Sequence, residues 1–159
     1  RIIVSTSGVP KIIKKMADEE VKFGLAVSLH SAIDEVRTSI MPFNSTFPLK
    51  DLREALEYWY SKTKNRITYE YVVWKNVNDK AEDVAALVRF CKLVPCKVNL
   101  IEYNPVDGYD FQQADEAALQ AYIAALENIG VTATVRRSRG KDIDAACGQL
   151  ANRNEVVVS

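Results

Sequence analysis

Short apolar runs alternate along this chain with segments in which apolar residues recur every three or four positions. Five of the runs, rich in β-branched and aromatic residues, predict buried strands; they span residues 1–5, 23–30, 66–74, 96–104 and 131–138. The intervening segments have the periodicity of helices and span residues 9–20, 49–64, 79–94 and 115–130. The resulting order, βαβαβαβαβ, predicts an α/β fold with a parallel sheet.

Individual residues support the helix predictions. Pro10 stands at the start of the first predicted helix, where a proline fits the first turn, and Gly130 ends the last one. The second and third helices each carry one apolar stripe, formed by Leu49, Leu52, Leu56 and Trp59 and by Val84, Leu87, Val88 and Cys91. Stripes at this spacing are typical of helices with one buried face.

Two architectures satisfy this alternation: part of an α/β barrel, or an open doubly wound sheet. In both of them, functional groups gather at the carboxyl ends of the strands. Polar residues lie at or just after the ends of all five predicted strands, among them Ser5, Ser28, Lys75, Asn104 and Arg136. The sequence therefore predicts a polar rim at one edge of the sheet.

Composition narrows the class of protein. The chain has 159 residues, of which 48% are apolar and 26% charged, so one domain with a substantial core is expected. Lysine and arginine (21) balance aspartate and glutamate (21), and overall charge therefore does not indicate a nucleic-acid partner. No apolar run reaches the roughly 18 residues of a membrane span. Three cysteines without the spacing of a disulfide framework favour reduced thiols and a cytoplasmic location.

Three local motifs admit both a structural and a functional interpretation. The segment STSG at residues 5–8 fits a tight turn that caps a helix, and its glycine spacing matches no phosphate-binding motif. His30, the only histidine, ends an apolar strand; such a residue is more commonly structural, and no second ligand nearby supports a zinc site. The run RRSRGKD at 136–142 fits either phosphate contacts or a solvent-exposed strand edge.

Cys147 is the fourth candidate, within the segment DIDAACGQLA at 142–151. A cysteine among such small residues is commonly a small buried side chain. The neighbouring Asp142, Asp144 and basic residues are also able to change the pKa of its thiol. Considered locally, the residues establish an α/β fold with a polar rim, and no named reaction follows from them.

Taken in order, the segments 5–8, 28–44, 69–79, 97–105 and 135–151 closely resemble the RlmN/Cfr family of radical S-adenosylmethionine (SAM) RNA methyltransferases. The last segment, VRRSRGKDIDAACGQLA, is the most specific. The resemblance implies a partial TIM-type barrel, of which this chain forms the later βα repeats. It is closer to the RlmN branch, which methylates C2 of adenosine in 23S rRNA and tRNA, than to the Cfr branch, which methylates C8.

The family's site residues carry over by position. Cys147 matches the cysteine that accepts a methyl group from SAM, and a radical formed from a second SAM then activates that S-methyl group for addition to adenine. The positions that contact SAM in the family match Ser5, Ser28, Leu29, His30 and Asn104. The basic residues before Cys147 are expected to contact RNA phosphates, which is an inference from charge alone; they are Arg136, Arg137, Arg139 and Lys141.

The family's C-x-x-x-C-x-x-C motif, which ligates a 4Fe-4S cluster, does not occur in this sequence. We therefore expect residues 1–159 to be the C-terminal portion of a radical SAM domain, without the cluster-binding segment or the N-terminal accessory domain, and inactive alone. The expected partners of the full-length enzyme are 23S rRNA, tRNA and an electron donor such as flavodoxin or ferredoxin. Three alternatives stay open: a Cfr-type C8 methyltransferase, a non-catalytic nucleotide- or RNA-binding module, and a structural domain with inert thiols.

Overall fold

A computed structural model describes residues 2–19, 22–104, 111–139 and 156–158. Its strands are β1 (Ile3–Thr6), β2 (Gly24–Ser28), β3 (Ile67–Val73), β4 (Cys96–Asn104), β5 (Ala133–Arg139) and β6 (Val156–Val158). The first five confirm the five predicted strands to within two residues at each end. The sixth, a run of three valines, was not predicted.

The helices are α1 (Pro10–Asp18), α2 (Asp34–Ile40), α3 (Leu49–Thr63), α4 (Ala81–Cys91) and α5 (Glu116–Asn128), with a short 3-10 helix at Pro42–Ser45. Four of them confirm the predicted helices, including Pro10 in the first turn of α1. Gly130, with a φ of 77°, follows the end of α5 as predicted. Helix α2 and the 3-10 helix were not predicted, because their seven and four residues are too short to develop a periodic apolar stripe.

The strands form one sheet in the order β5-β4-β3-β2-β1-β6. Strands β1 to β5 are parallel neighbours in chain order, and β6 pairs with β1 in the antiparallel direction. This order puts the carboxyl ends of β1 to β5 along one edge of the sheet. The predicted rim residues are therefore brought to the same edge.

The main core distinguishes between the two architectures that the alternation allows. Helices α1, α3, α4 and α5 all contribute to a single apolar cluster, through residues such as Ile13, Trp59, Leu87 and Tyr122. The strand residues in that cluster alternate along the chain, for example Ile67, Tyr69, Tyr71 and Val73 on β3, so they point to one face of the sheet. Helices on one face are typical of a barrel segment, whereas a doubly wound sheet carries them on both faces.

The opposite face of the sheet, which we call the concave face, carries a second and smaller apolar cluster near the carboxyl ends. Val72 and Trp74 of the β3 end and Ile101 and Tyr103 of β4 meet Val9, Ile40, Met41 and Phe43 there. The rings of Trp74 and Phe111 lie 4.8 Å apart. This cluster fixes the loops that surround the polar rim.

Among the described helices, none is long and apolar enough to cross a membrane.

Candidate functional site

Ser5 and Ser28 lie on the same face of the sheet at the ends of neighbouring strands. Ser5 of β1 pairs with Ala26 of β2, and Ser28 follows Ala26 by two residues on the same strand. Since side chains two residues apart in a strand share a face, both hydroxyl groups belong to the concave face. Both serines are half-buried. Their hydroxyls are able to donate and accept hydrogen bonds to a polar ligand at this edge.

His30 forms a tight turn directly after β2. Its φ of 57° is in the left-handed region, which a histidine adopts at a cost of about 1–3 kcal/mol. The backbone N–H of Ser31 donates to the carbonyl of Leu29 at 2.8 Å across this turn, and the N–H of Leu29 donates to the carbonyl of Glu70 at 3.0 Å. The segment Ser28, Leu29 and His30 is thus held to β3 in a strained conformation.

The imidazole of His30 is buried and bonded to protein. Its Nδ1 accepts a hydrogen bond from the backbone N–H of Val72 at 3.0 Å, and its ring packs edge-on against Trp74 at 5.5 Å. An accepting Nδ1 carries no proton, so the ring is neutral. Burial, and then the charge of Arg37, lower the pKa of His30 to about 3. The structural interpretation is therefore confirmed for the Nδ1 side of the ring, while the role of His30 in binding a cofactor stays a prediction.

Burial of neutral His30 predicts a pH-dependent stability. In the unfolded chain the histidine pKa is about 6.5, so between pH 6.5 and 3 the unfolded state binds a proton that the folded state does not. The free energy of unfolding should fall as the pH falls through this window, by about 1.4 kcal/mol per pH unit at its steepest. Urea unfolding between pH 5 and 6.5, compared with His30→Gln, measures the effect. An identical pH slope in the variant would contradict it.

Arg37 of α2 connects the ends of β1 and β2, although no motif in the sequence indicates it. Its side chain is completely buried. The guanidinium donates to the backbone carbonyls of Ser7, Ser28 and Leu29 at 2.7, 3.1 and 3.0 Å. A fourth hydrogen bond reaches Oδ1 of Asn44 at 2.9 Å. Burial lowers the pKa of Arg37 to about 10, which leaves the group charged at neutral pH.

A row of polar side chains crosses the concave face next to Ser28. Ser28 pairs with Glu70, Glu70 with Asn99, and Asn99 with Thr134 across four strands. The amide of Asn99 donates to Glu70 Oε1 at 3.1 Å, and the hydroxyl of Thr134 donates to Asn99 Oδ1 at 2.6 Å. Arg136, whose side chain is 60% exposed, ends the row with Nη2 3.8 Å from Glu70 Oε2. The row extends the polar surface from β2 to β5.

The structure describes only some of the other predicted site residues. Asn104 ends β4 and is paired with Arg139 of β5, one ladder position beyond the pair of Tyr103 with Ser138. Arg137 pairs with Glu102 in the same ladder. These pairings bring Asn104 and the arginines to the carboxyl edge of the sheet. Cys147 and Lys141 lie outside the described residues.

The donor set at the ends of β1 and β2 fits SAM. Hydroxyl groups such as those of Ser5 and Ser28 suit the ribose and the amino-acid end of this cofactor. Two buried polar atoms in the same region, Ser7 Oγ and Trp74 Nε1, have no hydrogen-bond partner within the described part of the chain. A polar ligand is one way to satisfy such groups.

An iron–sulfur cluster does not fit the described residues. No group of three or more His, Cys, Asp or Glu side chains in them is arranged to hold a metal ion. Cys91 and Cys96 are buried, and they lie where α4 ends and β4 begins, at the edge opposite the polar rim. The sulfur of Cys96 donates to the carbonyl of Cys91 at 3.5 Å. Both are therefore reduced thiols of the core, as the absence of a disulfide framework in the sequence favours.

Sequence reasoning missed two residues that shape this site, Arg37 and Glu70. Glu70 had a visible signal, because it is a carboxylate inside an otherwise apolar and aromatic strand. Asn78 belongs to the polar residues expected after the third strand, but its burial was not predictable, because a buried asparagine and an exposed one look alike in such a segment. Arg37 had no signal, because a short helix with Asp34, Glu35 and Arg37 is the usual pattern of a solvated surface.

Curated relatives match nearly the whole chain. A protein of Flavobacterium johnsoniae named probable dual-specificity RNA methyltransferase RlmN is 72% identical over 157 residues, which are 99% of this chain and 45% of the relative. The proteins of the same name from Christiangramia forsetii and Salinibacter ruber are 73% and 49% identical, over 97% and 98% of this chain and 44% and 42% of the relatives. The chain thus spans less than half the length of these relatives. Comparison with protein-family models gave no match.

Among solved structures, a radical SAM methyltransferase from Sphaerobacter thermophilus superimposes with a TM-score of 0.81 at 39% identity. The superposition covers 96% of this chain and 44% of that protein. Sequence and fold therefore agree on the same group of enzymes, and in both comparisons the match is to a part of a longer protein.

Proposed function

Because this chain belongs to the RlmN family of radical SAM RNA methyltransferases, we propose that it supplies the SAM-binding and methyl-carrying part of an enzyme that methylates C2 of adenosine in 23S rRNA and tRNA. The observation that carries this proposal is the arrangement at the ends of β1 and β2. There, Ser5 and Ser28 share the concave face next to the strained turn at His30. This is the edge at which α/β barrels place their chemistry.

SAM binding is proposed for Ser5, Ser28, Leu29, His30 and Asn104. The side chain of Leu29 is buried in the core, and its backbone N–H and carbonyl bond to Glu70, Ser31 and Arg37. Leu29 would therefore contribute by holding the turn that surrounds the cofactor. The hydroxyl groups of Ser5 and Ser28 would bind polar groups of the cofactor. His30 would present Nε2–H, since Nδ1 is bonded to Val72. When bound, SAM supplies the methyl group and the radical that activates it.

Cys147 is proposed to carry the methyl group as an S-methyl thioether before it reaches C2. Carbon 2 of adenine is electrophilic and therefore a poor nucleophile toward a sulfonium, which is the chemical reason for a carrier on the protein. Phosphate contacts are proposed for Arg136, Arg137, Arg139 and Lys141. Arg136 supports this assignment, because most of its side chain is exposed and its ion pair with Glu70 is long.

The remaining components belong to the complete protein. We propose that the 4Fe-4S cluster is held by residues outside this chain and that a flavodoxin or ferredoxin reduces it. We also propose a cytoplasmic location, where both RNA substrates occur. No group of three or more His, Cys, Asp or Glu side chains among the described residues is arranged to hold a metal ion, so none of them is proposed as a cluster ligand.

The test is methylation by a complete protein that contains this chain. The protein is incubated with SAM, a reductant and either 23S rRNA or tRNA, and the methylated nucleoside is identified by mass spectrometry. We expect 2-methyladenosine from both RNAs, and none without SAM. Methylation at C8 would replace the proposed reaction by that of the Cfr branch. RNA binding without methylation, in a protein with its cluster intact, would favour the non-catalytic binding module.

A further inference from the structure

Arg37 has an unusual environment for a buried charge. Four of its hydrogen bonds are identified, and three of them go to backbone carbonyls, those of Ser7, Ser28 and Leu29. A buried charge is normally paired with an opposite one. Here the negative charge of Asp34 acts to raise the pKa of Arg37, but the two side chains do not form a direct ion pair. The guanidinium is therefore held mainly by backbone groups and by Asn44.

The three carbonyls belong to two different strand ends. Ser7 follows β1, whereas Ser28 is the last residue of β2 and Leu29 follows it, so a single planar group fixes one strand end relative to the other. Guanidinium has its five N–H donors in a rigid fork, and this fork determines the direction of each carbonyl that it binds. Lysine has a compact ammonium group on a flexible chain and cannot reproduce this geometry.

Gly8 shows how closely the backbone approaches this group. A Cβ at Gly8 would lie 3.2 Å from Nη2 of Arg37 and 3.2 Å from Cδ1 of Leu52. The φ of Gly8 is 101°, which favours glycine in the same turn. The turn after β1 is thus packed directly onto the guanidinium.

The other side of the guanidinium is fixed as well. Asn44 accepts from Nη1 at 2.9 Å, and its amide donates to Oδ1 of Asp34 at 3.1 Å and to the hydroxyl of Thr38 at 3.0 Å. The ring of Phe43 lies 5.4 Å from the guanidinium carbon. Contacts within helix α2 and the 3-10 helix therefore hold the side chain of Arg37 in one orientation.

We propose that Arg37 is a positioning residue for SAM binding, which holds the ends of β1 and β2 at the separation and orientation that the cofactor requires. This inference rests on the proposed SAM site at Ser5 and residues 28–30. Without the guanidinium, the carbonyls of Ser7, Ser28 and Leu29 lose the donor that they share. The arrangement of the strand ends that binds SAM then becomes one of several. Affinity for SAM then falls in proportion to the population of that arrangement.

The test uses Arg37→Lys in the complete protein, with Arg53→Lys as the matched control on the exposed face of α3. We expect the KM for SAM to rise about tenfold while kcat changes by less than about threefold. Arg53→Lys should change neither. If Arg37→Lys does not fold, Asn44→Ala removes one anchor of the guanidinium and should raise KM in the same direction by a smaller factor.

Amide hydrogen exchange gives a readout that does not depend on activity. In Arg37→Lys, exchange should accelerate at residues 7–9 and 28–31 and stay unchanged in β4. A folded variant with unchanged KM, or with equal acceleration throughout the sheet, would overturn the proposal and leave Arg37 a general structural residue. If the unmodified protein does not bind SAM, the proposed function fails instead, and the exchange pattern still decides whether Arg37 positions these strand ends.

Discussion

Replacing Cys147 by alanine should abolish RNA methylation. Alanine has no sulfur to receive a methyl group, and no other cysteine of this chain is placed to substitute for it, because Cys91 and Cys96 are buried at the opposite edge of the sheet. We expect the rate of methyl transfer to 23S rRNA or tRNA to fall at least about a thousandfold, as for the loss of a covalent carrier. The measurement is transfer of a labelled methyl group from SAM to RNA by the complete protein.

A buried thiol provides the matched control. Cys91→Ala removes a sulfur from the core beside Cys96 and should retain methylation, apart from a modest loss of stability. Affinity for SAM should be similar in both variants, which separates loss of the carrier from loss of the cofactor site. Methylation that survives in Cys147→Ala would remove this cysteine from the mechanism.

The pattern of apolar and polar residues in the sequence was sufficient to predict the parallel sheet and its main helices. Strands β1 to β4 lie in mainly apolar runs, whereas most residues of β5 are polar. Each of the four longer helices carries a regular stripe, such as Leu52, Leu56 and Trp59 on α3, all of which are buried. Burial of these positions on one face of the sheet then selects the barrel type. Local pattern and global fold agree throughout this part of the chain.

The elements that complete the site were less predictable, because they depend on contacts between segments distant in sequence. The residues next to Arg37 in the sequence are typical of a solvent-exposed helix. Arg37 becomes a buried hydrogen-bond donor only because the ends of β1 and β2 come together around it in the fold. The position of His30 at the end of an apolar strand is compatible with a structural or a functional role, and its bond to Val72 is formed across 42 residues. The resemblance to a family supplied Cys147, whose local surroundings alone favoured a small core residue.

Asn78 shows the same dependence on distant contacts. Its side chain is completely buried and bonds to three backbone groups. The amide donates to the carbonyls of His30 at 2.7 Å and Val72 at 2.8 Å, and Oδ1 accepts from the N–H of Trp74 at 2.8 Å. Its own carbonyl accepts from the hydroxyl of Tyr122 at 2.5 Å, which joins α5 to the network. One asparagine thereby ties the strained turn after β2 to the end of β3.

Replacing Asn78 by alanine should therefore destabilise the protein strongly. Three buried backbone groups would lose a partner, at about 1–3 kcal/mol each, and we expect the free energy of unfolding to fall by about 3–5 kcal/mol in total. Urea unfolding measures the change. Asn128→Ala, at an exposed position at the end of α5, should stay within about 0.5 kcal/mol of the unmodified protein.

Because Asn78 holds the carbonyl of His30, hydrogen exchange at residues 29–31 in Asn78→Ala should also accelerate at urea concentrations well below the unfolding midpoint. A loss of less than about 1 kcal/mol would mean that water satisfies these groups and that Asn78 does not fix the turn.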